Sequence, residues 1–164
     1  MTGFQPGAMT SGQFDATRRY IELSQPVFDE LRDIAGQLAT LLLAAATNDK
    51  FLVVEHPALE VVAHRLDEAR QQAAALRPPA MALHHHHHLS AALERFGDTI
   101  ETMRLKGRLI GHDDDGLGAL KIAWREMQYV SRALPGFETI DVERGCCQMC
   151  ADRSRLTGNS KGMC

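Results

Sequence analysis

An all-α fold, an antiparallel four-helix bundle, is predicted by three observations. Hydrophobic residues make up 45% of the chain but aromatics only 5%, and much of the apolar share is alanine. Such small side chains suit close-packed helices better than the aromatic and β-branched faces of a sandwich. Apolar residues recur at spacings of three and four over successive stretches, each tracing one helix face. Short polar connections separate those stretches, which returns each helix antiparallel to the last. At 164 residues the chain has the length of one domain and enough material for a core.

Residues 1–12 are rich in Gly, Pro, Ser and Thr and are expected as a mobile arm, with the bundle over 13–136. Phe14 to Leu23 reads as a short helix leading to Ser24-Gln25-Pro26. There Ser24 is expected to cap the first long helix and Pro26 to occupy its first turn, where no N–H is needed. Val27, Leu31, Ile34, Leu38, Leu41 and Ala45 form its apolar face, and Asn48-Asp49 ends it. Phe51-Leu52-Val53-Val54 is too short to separate a strand from a buried connector.

His56-Pro57 opens the second helix, whose seam is Leu59, Val62, Leu66, Ala69, Ala73 and Leu76, and Arg77-Pro78-Pro79 stops it. The third helix buries Leu89, Leu93, Phe96, Ile100 and Met103 and ends near Gly107 or Gly111. Arg104, Lys106 and Arg108 read as cations favoured near its C-terminus. Asp113 to Asp115 offer N-caps for the fourth helix, with Leu117, Leu120, Trp124, Met127, Ser131 and Leu134 on its apolar face and Pro135-Gly136 at its end. Over 137–164 the periodicity stops; Phe137, Ile140 and Val142 are candidates to lie on the bundle, and the rest is an irregular Cys-rich C-terminal tail.

A net charge of -3 and a pI near 6.2 supply no drive toward nucleic acid or an anionic membrane surface. No apolar run approaches the roughly 20 residues that span a bilayer, and the N-terminal residues lack a basic stretch followed by an apolar one. The expectation is a cytoplasmic protein whose cysteines stay reduced.

Two features carry chemistry. His84 to His88 are five consecutive imidazoles at the start of the third helix. The run lies between continuous helical patterns, which distinguishes it from a terminal purification tag. Extending the helix's apolar face backward at about 100° per residue puts His85 in core register, His86 and His88 on its flanks, and His84 and His87 outward. His84 and His88 are one turn apart, a spacing that lets two imidazoles share one transition-metal ion. A polar helix start that merely tolerates histidine is the alternative.

The second feature is Cys146-Cys147-Gln148-Met149-Cys150, with Cys164 at the last position. Cys147 and Cys150 are spaced to grip one soft metal. The second pair that would close a zinc site is absent, and the thiols equally read as a solvated tail. The strand-then-helix setting of a redox Cys-x-x-Cys is also missing.

His56-x-x-x-Glu60, His84-x-x-x-His88 and His112 followed by Asp113 to Asp115 occur in that order on a candidate four-helix bundle. This series resembles the hemerythrin arrangement, which implies a di-iron pair that binds dioxygen. The series departs from that pattern where residue 117 is leucine and where the first long helix has no histidine.

Neither a phosphate-binding loop, a nucleophile elbow nor a calcium loop is present in the sequence. The residues nominate no catalytic acid, base or nucleophile. The expected function is a non-enzymatic binding module acting through a protein partner or self-association. A zinc, nickel or copper protein using His84, His88, Cys147 and Cys150 is the first alternative, and a hemerythrin-like di-iron protein the second.

Overall fold

The computed structural model describes residues 11–47, 56–106 and 116–139. Among the described residues four helices run antiparallel in sequence order: α1 (Ser11–Thr47), α2 (Pro57–Ala75), α3 (Leu83–Lys106) and α4 (Gly116–Ala133), with a 3-10 turn at Ala80–Ala82 before α3. Each helix packs against the next and α4 closes back on α1. Cross-helix ion pairs join neighbouring helices. Glu30 accepts from Arg65 Nη2 at 3.0 Å between α1 and α2, and Glu60 Oε2 accepts from Arg104 Nη2 at 2.9 Å between α2 and α3.

The core is the union of the four seams. Val27, Leu31, Ile34, Leu38 and Leu41 of α1 are buried, as are Leu59, Val62, Leu66, Ala69 and Ala73 of α2 with Leu76 just past its end, and Leu89, Leu93, Phe96, Ile100 and Met103 of α3. Each large side chain so enclosed contributes about 1.5–3 kcal/mol relative to exposure.

Two expected details are corrected. The chain does not break at Ser24-Gln25-Pro26, because α1 is continuous over 37 residues and Pro26 lies inside it. Proline in a helix interior normally costs about 3 kcal/mol. Here the ring is exposed, as are Glu22 and Leu23, so the carbonyl it leaves without an amide partner lies on the solvent side. The apolar face stays in phase across it through Tyr20, Ser24, Val27 and Leu31, all buried. Ser24 is therefore no cap; its hydroxyl donates back to the Tyr20 carbonyl at 2.8 Å.

The second correction concerns α4. Its buried face is Gly116, Leu120, Ala123, Met127 and Val130, whereas Leu117 is 47% exposed. Gly116 explains the rotation. A Cβ there would lie 3.0 Å from Leu42 Cδ2 and 3.1 Å from Met103 Cγ, so its absence lets α4 begin close against α1 and α3.

The ends are built as the residues dictate. His56 caps α2, its Nδ1 accepting from the Ala58 amide at 3.2 Å, with Pro57 in the first turn. Arg77 donates to the Ala74 and Leu76 carbonyls where α2 stops. Arg104 does more than favour a helix end: it joins Glu101 on its own helix to Glu60 on α2. Past α4, Gly136 takes a φ of 97°, a left-handed conformation that suits glycine. The turn delivers Phe137 into the core at 1% exposure.

Gly36 offers a simple test of the α1 assignment. It is exposed mid-helix, and nothing lies within 4 Å of where its Cβ would be. Gly36→Ala is expected to stabilise the protein by about 0.5–1 kcal/mol in urea denaturation, through helix propensity alone.

Among the described residues no helix is long and apolar enough to cross a membrane.

Candidate functional site: the histidine turn of α3

The five imidazoles fall around α3 as its 3.6-residue period requires. His85 is fully buried, His86 and His88 are half-buried, and His84 and His87 are exposed. One residue type thus occupies a core slot, two flanks and a surface.

The inward side of the run is a closed polar contact within the core. Tyr20 of α1 places its hydroxyl 3.0 Å from His85 Nδ1 and 3.4 Å from His86 Nδ1. The Tyr20 and His85 rings meet edge to face, with centroids 5.5 Å apart. Phe137 covers the other side of His85 at a centroid distance of 4.2 Å, and Phe28 packs edge-on against Phe137 at 5.3 Å.

His85 Nε2 is buried without a hydrogen-bond partner among the described residues. A bare ring lone pair there is less costly than a stranded N–H, so the network assigns the proton to Nδ1. His85 then donates to the Tyr20 oxygen, and Tyr20 donates to His86 Nδ1. Burial pushes the Tyr20 phenol up to about 12, which keeps its proton in place. Burial, reinforced by the neighbouring His86 and His88, pushes His85 down to about 4, and burial also lowers His86. At neutral pH His85 is an uncharged structural imidazole.

The outward side is different. His88 Nδ1 lies 2.8 Å from Glu126 Oε2 of α4, at side-chain exposures of 17% and 22%. The carboxylate accepts from Nδ1–H, and in the neutral ring the lone pair is then on Nε2. A carboxylate behind a histidine is the common support of a metal-ligating imidazole. The His84 ring stands edge to face with His88 at a centroid distance of 4.6 Å, and Tyr129 tilts against His88 at 5.0 Å. Met81, Leu83 and Tyr129 around this turn are 49%, 57% and 39% exposed.

Of the residues nominated from sequence, His84 and His88 come together; Cys147 and Cys150 lie outside the described residues. So do Cys146, Cys164, His112 and Asp113 to Asp115. Among the described residues no three His, Cys, Asp or Glu side chains converge to hold a metal ion.

The hemerythrin-like series is divided by the fold. His56 caps α2 and Glu60 pairs with Arg104. Arg104 lies 16–20 residues along α3 from His88 and His84, or roughly 24–30 Å at the helical rise. Those two pairs occupy opposite ends of the bundle.

Glu126, Tyr129 and Tyr20 are the site residues that sequence reading missed. Tyr20 had a signal, since it continues the α1 seam seven residues before Val27. Glu126 had none, because its pairing depends on how α3 and α4 register.

No protein-family model, no curated protein and no solved structure matches this chain.

Proposed function

We propose that this chain is a non-enzymatic, cytoplasmic helical-bundle binding module whose contact surface is the histidine turn of α3. The observation that carries the reading is the exposure of Met81 and Leu83, within three residues of His84 along the chain, and of Tyr129, whose ring tilts against His88. Apolar side chains gathered at one place on a surface mark a contact site more often than scattered ones do. Sedimentation of the full chain, with a pull-down from native extract, tests it. Self-association or a specific partner that is lost in Leu83→Glu supports it; a strict monomer with no partner overturns it.

A second reading, binding of zinc, nickel or copper, is favoured by one specific observation. Glu126 holds His88 with Nε2 available beside His84, the arrangement of a supported imidazole ligand. Titration calorimetry on protein purified without a metal column decides it. Binding that is lost in His88→Ala supports this reading, and no heat of binding removes it.

A further inference from the structure

We propose that zinc joins two copies of this chain through His84 and His88 of each, forming a four-imidazole site on a two-fold axis. The inference rests on the metal reading above and adds what completes the site.

Zinc in a closed site takes four ligands in a tetrahedron. His84 and His88 supply two from adjacent turns of one helix, with rings 4.6 Å apart. Within the described part of the chain no third ligand joins them. A second copy related by two-fold symmetry presents the same pair, and such self-complementary contacts are the commonest form of homo-oligomer. Two and two make the tetrahedron.

Charge supports the same arrangement. Four neutral imidazoles leave the zinc dication uncompensated, which is costly in a closed interface. Each copy brings one carboxylate, Glu126, to the Nδ1 side of His88 at 2.8 Å. Two such carboxylates match the charge of the ion.

The surroundings fit a second copy but not a dimer formed without metal. Met81, Leu83 and Tyr129 are exposed, the first two within three residues of His84 along the chain and Tyr129 against His88, and a second copy would cover apolar surface there. A stable interface engages about 20–30 residues a side, far more than this turn of α3 with its neighbours. The ion must therefore supply the greater part of the affinity, and the dimer depends on it.

Analytical ultracentrifugation of the full chain, first in EDTA and then with zinc chloride, tests the proposal, with calorimetry giving the stoichiometry. The expected result is a monomer in EDTA and a dimer with zinc, saturating at one ion per two chains. His84→Ala and His88→Ala, both with unchanged circular dichroism, abolish the zinc-dependent dimer. Glu126→Gln weakens zinc binding roughly 10–100-fold, and the double variant Cys147→Ser/Cys150→Ser leaves the dimer intact. A dimer that persists in EDTA, or zinc bound to a monomer at one ion per chain, overturns this proposal and leaves the metal reading standing. No zinc binding at all removes both.

Discussion

Replacing Phe137 by alanine is expected to cost about 3–5 kcal/mol, the range for emptying a large aromatic from a core. The size of the effect follows from the ring's position. It is 1% exposed, edge-on to Phe28 at 5.3 Å and over His85 at 4.2 Å. The residue is not on a helix; it reaches the core only because Gly136 turns the chain back. Urea denaturation at pH 7.5 measures the loss, and a cost under about 1 kcal/mol would mean that Phe137 is not packed there. A second consequence separates this variant from a generic cavity. Removing the ring opens His85 to water, so its lowered pKa returns toward the ordinary 6.5 and the acid sensitivity described next becomes shallower.

Acidification between pH 6.5 and 4 is expected to remove about 3 kcal/mol of stability through His85. Its folded value of about 4 lies below the 6.5 of the unfolded chain, and each pKa unit is worth about 1.4 kcal/mol. The sign follows from proton binding. In this window the unfolded chain takes up a proton that folded His85 refuses, so stability falls as pH falls. Above pH 6.5 neither state holds that proton and the full stability is present. The lowering of His86 acts in the same direction.

The slope between pH 6.5 and 5 lies above the ordinary carboxylate range and so reports on the imidazoles. His85→Asn is the informative variant. Its amide can replace Nδ1 as partner to Tyr20 but has nothing to titrate. Over pH 6.5 to 5 the wild type should lose about 2 kcal/mol that the variant keeps. Parallel curves for the two proteins would show that His85 is not the responsive group.

How far the sequence foretold these features varies from helix to helix, for physical reasons. The α2 and α3 seams are legible in full because Leu59 to Leu76 and Leu89 to Met103 keep one phase without interruption. Pro26 concealed the continuity of α1: local propensity argues for a break there, and only the exposed position of its ring makes it tolerable. On α4, side-chain size misled. Leu117 outweighs Gly116 on any hydrophobic scale, yet the close approach to Leu42 and Met103 at Gly116 sets which face turns inward.

The candidate site divides in the same way. The phase of the histidines around α3 could be counted from Leu89 backward. The partners Tyr20 and Glu126 come from α1 and α4, and a count along one helix cannot reach across the bundle.

Because the tract is uniform, its length matters in an asymmetric manner. Downstream packing fixes the register, so a gene copy short by one histidine codon still places an imidazole opposite Tyr20. What it loses is the outermost ring: Leu83 slides into the place of His84. A copy with one codon too many keeps every ring and instead pushes Leu83 into the slot of fully buried Ala82, a steric insult where the 3-10 turn enters α3. A change of one residue in the tract would therefore remove the surface pair in one direction and strain the fold in the other.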